Sequence, residues 1–168
     1  RVSFGFAAAS ALSIPLGVSM GTFASIRALC EPFISFLRYM PAPAFIPLLI
    51  IYFGIEEAPK IILIFIGTLF FNTLMIMDTV KFVPKDLIET TYTLGGRRLQ
   101  VLKSVILPYV MPKIIDTFRI NLAAAWNLVV VAELIAAEEG LGRRIAFAQR
   151  FLNIDEIFAC LIILGLLG

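Results

Sequence analysis

Long runs without charged residues alternate with polar segments along this chain. The first run, 2–26, contains 25 residues without a charge, and as a helix it is long enough to cross a hydrocarbon core of about 30 Å. Two further uncharged runs, 39–55 and 61–77, contain 17 residues each and need their flanking turns to complete a crossing. The segment 114–135 also fits a spanning helix, and another apolar stretch follows Asp155. The pattern predicts an all-α, polytopic membrane protein with about five membrane segments.

The polar segments between these runs predict shorter elements. The mixed segment 27–38 suits a short helix near the membrane interface. In the run that follows, we expect a regular helix to begin near Pro47, because proline is tolerated in a first turn. The segment 78–113 is amphipathic and basic, and it predicts two short helices joined at Gly95 and Gly96, since paired glycines permit a sharp turn.

Glycines recur in the first run at a spacing that suits close contact between helices. Gly17 and Gly21 are four residues apart and share one helix face, where two backbones can approach because there are no side chains. We expect this face to pack against another helix. A dimerisation motif of the same spacing is the alternative.

Composition supports a bilayer environment and narrows the chemistry. Hydrophobic residues make up 60% of the 168 residues and charged residues only 15%, whereas a soluble domain usually carries about 25% charged residues. The absence of His removes histidine-based zinc sites and Ser-His or Cys-His catalysis, so we expect neither an enzyme nor a metal site. The net charge of +2 gives no sign of a nucleic-acid surface. Cys30 and Cys160 lie far apart and predict free thiols.

The ends of the chain and the positions of its cations add two expectations. The sequence opens without Met and stops inside an apolar stretch. We therefore expect both natural termini, with at least one more membrane segment, to be missing. If 78–113 is cytoplasmic, eight Lys and Arg residues lie inside, Arg27 and Arg38 among them, while four loop cations and Arg1 lie outside. This bias follows the positive-inside rule and predicts a cytoplasmic 78–113.

One polar stretch carries a recognisable spacing. Glu89 is followed six residues later by Gly95, and the chain then reaches Leu107 and Pro108. This stretch resembles the signature loop of binding-protein-dependent ABC importer permeases: Glu-Ala-Ala, three residues, Gly, nine residues, then Ile-x-Leu-Pro. The positions that depart from the pattern are Thr90, Thr91 and Val105. The resemblance implies the all-α permease core of a type I ABC importer.

Flanking sequences are similar to the branch of this family that imports nitrate, sulfonates, taurine or bicarbonate. The similar segments are 38–47, 53–55, 125–126, 132–133 and 140–142. The resemblance implies a multi-pass subunit of a prokaryotic inner membrane, with residues 1–168 as one permease domain and 81–108 as its cytoplasmic coupling loop. It also implies a second permease copy, two ATPase subunits that bind ATP and Mg, and an extracytoplasmic substrate-binding protein. No cofactor is expected in this chain.

In that family the loop forms a coupling helix that docks into a groove of the ATPase. The expected coupling residues are Glu89, Gly95, Leu107, Pro108, Leu87, Ile88 and Tyr92. The apolar members would occupy the partner's groove, and Gly95 would permit a close backbone approach. Pro108 would open the following helix rigidly, so that movement of the loop passes into the span. The alternative is an interfacial helix resting on anionic lipid.

Charged groups inside a bilayer are costly, so those within 114–135 invite a functional interpretation. The candidate residues of a translocation path are Arg119, Trp126, Asn127, Glu133 and Asn72. Arg119 and Glu133 share one helical face, and an Arg on the path would favour an anion. The alternatives are structural. Arg119 would pair with Asp116 or Asp78, Glu133 would lie in the outer interface, and Asn72 would make an interhelical hydrogen bond.

Two functions of other classes remain open. A non-transport scaffold subunit of a membrane complex would need cofactor ligands, and the chain offers no His and no Cys pair at ligand spacing. An ion-driven carrier would need buried carboxylates, for which Glu133 is the candidate. The sequence contains no Gly-Lys-Ser/Thr loop, so any ATP hydrolysis would have to come from partner subunits.

Overall fold

A computed structural model describes residues 2–136 and 140–167, and this part of the chain consists of helices and short connections. The helices are α1 (Val2–Thr22), α2 (Ala24–Tyr39), α3 (Ile46–Phe53), α4 (Glu57–Lys81), α5 (Lys85–Thr93), α6 (Arg98–Val101), α7 (Leu107–Ala136), α8 (Leu141–Arg150) and α9 (Ile154–Leu167). A 3-10 turn, Ala42–Phe45, precedes α3, and a π-helix, Leu102–Ile106, joins α6 to α7. The prediction of an all-α fold is confirmed.

Three helical stretches of the described residues are long and apolar enough to cross a membrane: Val2–Thr22, Glu57–Lys81 and Arg98–Leu134. The pair formed by α2 and Ala42–Phe53, bent by 83° at its break, supplies a fourth crossing if it counts as one span. The sequence predicts about five segments. The described residues contain three such helices, or four with the bent pair.

The ends of α4 show how a short apolar run becomes a full crossing. The uncharged run has 17 residues, and the helix extends it to 25 by including a polar turn at each end. Glu57 begins the helix and Lys81 ends it, which places an acid and a base where the helix dipole favours them. Lys60 Nζ lies 3.2 Å from Glu57 Oε1 in the first turn. The expectation of completing turns is confirmed for this run.

Two compact units divide the chain, and α1, α4 and α7 each contribute to both. The first unit contains the described residues of Arg1–Ala9, Met40–Thr68 and Leu122–Gly168, and the second contains Ser10–Tyr39 and Leu69–Asn121. The core of the first unit includes Ile46, Leu49, Leu63 and Ala132. The main core of the second unit consists of Val18, Ile76, Val80, Val83, Val101, Ile106, Val110 and Ile114.

Two glycines set the approach of α1 to α4 in the second unit. A Cβ atom added to Gly17 would lie 2.7 Å from the carbonyl oxygen of Thr73 and 2.8 Å from Cβ of Ile76. One added to Gly21 would collide with the side chain of Val80. The later glycine of α1 contacts the later residue of α4, so the two helices run parallel. The predicted packing role of these glycines is confirmed.

The turn from α1 into α2 is closed by an arginine. Arg27 donates from Nε to the carbonyl oxygen of Met20 at 3.0 Å and from Nη2 to that of Gly21 at 2.8 Å. The last carbonyls of a helix have no partner within the helix, and a cation there also interacts favourably with the helix dipole. Arg27 therefore stabilises the end of α1.

The rest of α2 differs from the predicted interfacial helix, because it lies along α4. Glu31 Oε1 is 3.7 Å from Lys81 Nζ, Ile34 is buried in a cluster with residues of α1 and α4, and the Arg38 guanidinium lies over the ring of Phe71. Later residues of α2 contact earlier residues of α4, so the two helices are antiparallel. Burial of an apolar face against α4 favours this placement over the interface. The positive-inside rule placed Arg38 on the cytoplasmic side, but Arg38 lies beside the middle of α4.

Candidate coupling segment and polar residues of the membrane helices

The helix α5 is poorly buried by its own chain. None of its nine residues is buried. Leu87 and Tyr92 are 44% and 46% exposed, and Leu94 in the following turn is 83% exposed. Glu89 is also exposed, and its carboxylate joins none of the ion pairs within the described residues. Apolar surface of this kind, next to charged side chains, is typical of a site that meets another molecule.

Two of the residues expected at the coupling surface also pack on the chain's own core. Ile88 and Leu107 are both half-buried against the main core of the second unit. They fasten α5 and the start of α7 to that core. A nine-residue helix with apolar residues on more than one side does not reveal which side faces inward, so sequence alone did not separate Ile88 from Leu87.

Gly95 ends α5 in a Schellman turn. The N–H of Gly95 donates to the carbonyl oxygen of Tyr92 at 2.9 Å, and the N–H of Gly96 donates to that of Thr91 at 2.9 Å. These two bonds define the motif, and its residue after the helix takes a left-handed conformation. Gly95 has a φ of +82°, and a Cβ atom added to it would meet nothing within 4 Å. The predicted sharp turn is confirmed, with open space beside Gly95.

Pro108 is the second residue of α7, in its first turn as predicted, but α7 continues directly from the helical segment before it. The stretch Arg98–Leu134 is continuous, and Pro108 follows a π-helical turn in which the N–H of Leu107 donates to the carbonyl oxygen of Leu102. Proline has no N–H to donate, and a π-helical turn changes the hydrogen-bond pattern within a continuous helix. The π-helix therefore lets the chain pass through Pro108 without a break.

A cavity of about 410 Å³ adjoins α5 within the second unit. Its lining includes Thr22, Ser25, Ile88, Tyr92 and Arg98, from the turn between α1 and α2, from α5 and from α6. Among the described residues of this lining, Arg98 is the charged one. The cavity lies beside Ile88 and Tyr92, and the side chains of Leu87 and Leu94 are exposed.

Asn72 makes the interhelical hydrogen bond that was the alternative to a place on the path. Asn121 on α7 donates from Nδ2 to Asn72 Oδ1 at 2.6 Å and lies 3.3 Å from Met75 Sδ. Asn72 is fully buried and Asn121 is 8% exposed. Asn72 Nδ2 has no hydrogen-bond partner among the described residues. Sequence reasoning missed Asn121, although an amide in the interior of a predicted span was a signal that could have found it.

The polar face of α7 changes from open to buried along its length. Arg119 and Asn127 are exposed, Trp126 is half-buried and Glu133 is buried. Within the described residues Arg119 forms no ion pair, and Asp78, one of its two expected partners, pairs with Lys81 at 3.1 Å. Trp126 Nε1 is buried and has no hydrogen-bond partner among the described residues. The candidate path residues of α7 therefore do not form one uniformly exposed surface.

Glu133 holds the start of α8. Its Oε2 accepts a hydrogen bond from the N–H of Gly142 at 3.1 Å. The first N–H groups of a helix lack partners within the helix, and a carboxylate is favoured at this end by the helix dipole. A Cβ atom on Gly142 would lie 2.7 Å from the carbonyl oxygen of Val130, so glycine permits this contact. The geometry gives Glu133 a structural partner inside the first unit.

No group of three or more His, Cys, Asp or Glu side chains in residues 2–136 and 140–167 is placed to hold a metal ion. Cys30 is half-buried and Cys160 is buried, and both are free thiols as the sequence predicts.

Comparison with known proteins identifies a family and its relatives. The family described as binding-protein-dependent transport system inner membrane component matches residues 13–168. A putative ABC transporter permease of Methanocaldococcus jannaschii is 39% identical over 169 residues, which cover 100% of this chain and 63% of that protein. The taurine transport system permease protein TauC of Escherichia coli is 36% identical over 168 residues, covering 100% of this chain and 61% of that protein. The chain thus spans less than two thirds of these relatives.

The fold also matches a solved transporter. The MetNI methionine ABC transporter, in an inward-facing conformation, contains a chain that superimposes with a TM-score of 0.77 at 19% identity. The match covers 98% of this chain and 87% of that chain. This chain therefore shares its fold with that chain of the transporter.

Proposed function

Since the chain belongs to the family of inner membrane components of binding-protein-dependent transport systems, we propose that it forms the translocation path of an ATP-driven importer for a small anion. Residues 1–168 act as one permease domain, and 81–108 is its coupling loop on the cytoplasmic side. The substrate class rests on the resemblance to the nitrate, sulfonate, taurine and bicarbonate branch. It also rests on the relative TauC, which is a taurine transport permease.

ATP is hydrolysed by partner subunits in this proposal. The sequence has no Gly-Lys-Ser/Thr phosphate-binding loop, and that loop is what cradles nucleotide phosphates in P-loop ATPases. Two such ATPases, with their ATP and Mg, serve two copies of the permease. A substrate-binding protein delivers the solute on the opposite face of the inner membrane.

The observation that carries the coupling proposal is the uncovered surface of α5 between two spanning helices. Leu87 and Leu94 are exposed, and an amphipathic helix whose apolar side chains lie open fits a hydrophobic groove of a partner. Glu89 offers a carboxylate to a basic group of that partner. Ile88 packs against the core and anchors α5 there, so the helix stays attached to the permease while its exposed surface is bound.

Movement of α5 reaches the membrane through one continuous helix. The stretch Arg98–Leu134 runs from the coupling loop through the membrane segment, with the π-helix and Pro108 near its start. Closure of the ATPases would move α5 and α6, and this long helix would pass the displacement to the residues around Arg119. Alternate access to the two sides of the membrane would follow.

An anionic solute suits the exposed cation of α7. Arg119 is exposed and forms no ion pair among the described residues, and a guanidinium binds oxyanions through paired N–H groups. In this proposal Arg119, with Asn127 and Trp126 nearby on the helix, contacts the solute. Asn72 and Glu133, which have partners in the chain, hold the helices that flank the path.

Reconstituted uptake tests the function as a whole. The full-length permease, purified with its ATPase and binding protein and placed in liposomes, is supplied with radiolabelled taurine or bicarbonate. We expect uptake only when ATP is present with the ATPase. Uptake driven by an ion gradient without ATP would indicate an ion-driven carrier. A preparation that neither binds an ATPase nor moves solute would indicate a scaffold subunit.

A pair of variants tests Arg119 separately. Arg119→Ala should abolish uptake while the complex assembles and the ATPase still hydrolyses ATP. If Asp116 only neutralises Arg119, the double variant Asp116→Asn with Arg119→Gln should transport nearly normally, because both charges are removed together. If Arg119 attracts the solute, the double variant should assemble and stay inactive. Normal uptake by the double variant would show that this face of α7 serves only in helix packing.

A further inference from the structure

A second cation lies deep in the membrane region, on α2. Arg38 is in the last turn of α2, and its guanidinium carbon is 5.8 Å from the ring centroid of Phe71 on α4. Phe71 is ten residues from Lys81 and fourteen from Glu57, which corresponds to about 15 Å from one end of the helix and about 21 Å from the other. Arg38 therefore lies at the level of the bilayer centre if α4 spans the membrane.

The position of Arg38 along α2 supports this depth. Glu31, seven residues earlier, reaches Lys81 at the end of α4, so the two helices are aligned from the membrane surface inward. An arginine near a helix end often extends its side chain to the interface, but at this level either interface is too distant. A charge at such a depth is costly and usually faces a water-filled cavity or another polar group.

The surroundings of Arg38 hold its charge without neutralising it. The guanidinium lies 5.4 Å from the ring centroid of Tyr39 and 5.8 Å from that of Phe71, a distance at which aromatic faces attract cations. Tyr39 and Phe71 are 78% and 45% exposed, so the rings do not enclose the group. Within the described residues Arg38 has no ion pair and donates no hydrogen bond. Its N–H donors remain available for an oxyanion.

We propose that Arg38 is an anion-binding residue of the translocation path, held in place by the rings of Tyr39 and Phe71. The ligand class is a small oxyanion such as a sulfonate, carboxylate or bicarbonate, whose oxygens match the planar donors of a guanidinium. This inference rests on the proposed importer function. It assigns a residue that the sequence placed in an interfacial helix.

The depth of Arg119 agrees with this assignment. Asn121, two residues after Arg119 on α7, contacts Asn72, which follows Phe71 directly on α4. Arg38 and Arg119 therefore lie within about one helical turn, or about 5 Å, of the same depth. Two cations at one depth, neither with an ion-pair partner among the described residues, are expected where an anion must leave water and cross the membrane.

Uptake by three variants tests the role of Arg38 in the full-length permease with its ATPase and binding protein. The probes are radiolabelled taurine and bicarbonate. Arg38→Gln should assemble, retain ATP hydrolysis and lose about 10- to 100-fold in uptake efficiency, the range expected for one charge-assisted contact. Arg38→Lys should fall in between, because it keeps the charge but loses the planar donors. Arg150→Gln, the same change on the exposed end of α8, should stay within about twofold, the scatter of such contributions.

Thiol labelling tests the location of Arg38 without reference to the solute. In a background with Cys30→Ser and Cys160→Ser, Arg38→Cys should react with a charged, membrane-impermeant methanethiosulfonate reagent in the assembled complex. Ile34→Cys, one turn earlier and buried against α4, should not react. If the unmodified permease takes up neither taurine nor bicarbonate, the proposed substrate class is wrong. Thiol labelling then still tests the location of Arg38.

Three results would overturn the inference. Assembly of Arg38→Gln with unchanged transport efficiency would exclude a contact between Arg38 and the solute. Loss of assembly in Arg38→Gln would make the charge a structural partner. Lack of labelling at Arg38→Cys, both with and without ATP, would place the residue away from water.

Discussion

Substitution of Gly95 separates its conformational role in the turn from its proposed role in docking of the ATPase. Its φ of +82° is strained for a residue with a Cβ atom, and a left-handed conformation costs roughly 1–2 kcal/mol for an ordinary L-residue. Asn tolerates this conformation better than Ala. The space around a Cβ atom at Gly95 is open within 4 Å, so no clash inside this chain adds to the cost. Strain alone therefore ranks the variants Gly, Asn, then Ala in order of decreasing turn stability.

Docking of a partner predicts a different order. If an ATPase approaches the backbone at Gly95, the loss should grow with side-chain size and charge, so that Gly95→Ala is mild and Gly95→Asn and Gly95→Asp are severe. We expect Gly95→Asp to insert into the membrane but to lose the ATPase or its coupling. Glu89→Ala should have the same effect more weakly. An energy of 1–2 kcal/mol changes the population of the turn by about 5- to 30-fold, which is large enough to measure.

Two measurements distinguish these accounts. Hydrogen exchange across 85–97 in the permease without its ATPase reports turn stability, and the amount of ATPase that co-purifies with each variant reports docking. We expect Asn to be close to Gly in the first measurement and far from it in the second. Full ATP-dependent uptake and normal co-purification of Gly95→Asp would refute the docking of this loop.

Other predictions follow from single contacts. A cysteine at Lys103 should be labelled only from the cytoplasm and one at Glu57 only from outside; labelling of both from one side would contradict the alternating topology. Asn72→Leu should destabilise the helix pair by about 0.6–1.7 kcal/mol in thermal unfolding, the range for hydrogen bonds between membrane helices, and adding Asn121→Leu should recover part of the loss. Gly17→Leu should destabilise by about 1–3 kcal/mol through overpacking, since its Cβ would lie 2.7 Å from a carbonyl oxygen of α4; unchanged stability would show that the helices can separate freely.

The local features of this protein followed from its sequence. Uncharged length decides whether a segment can cross a bilayer, because each buried charge is costly and each residue adds a fixed rise. This reasoning located α1, α4 and the part of α7 that lies within 114–135. The turn at Gly95 and Gly96 was predictable for a similar reason, since the conformations open to glycine are a property of the residue itself. The spacing from Glu89 to Pro108 identified the family.

The tertiary structure decided which side chains meet. Asn72 and Asn121 are 49 positions apart, and no periodicity within one helix indicates the residue opposite it on another. The same limit applies to Glu133, which sequence placed on a polar stripe and the structure places at the start of α8. Arg38 is the sharpest case. Its neighbours in sequence suggested an interfacial helix, but burial of Ile34 against α4 carries α2 inward and sets Arg38 beside Phe71. The depth of a charge depends on how helices pack, and only the folded chain fixes that packing.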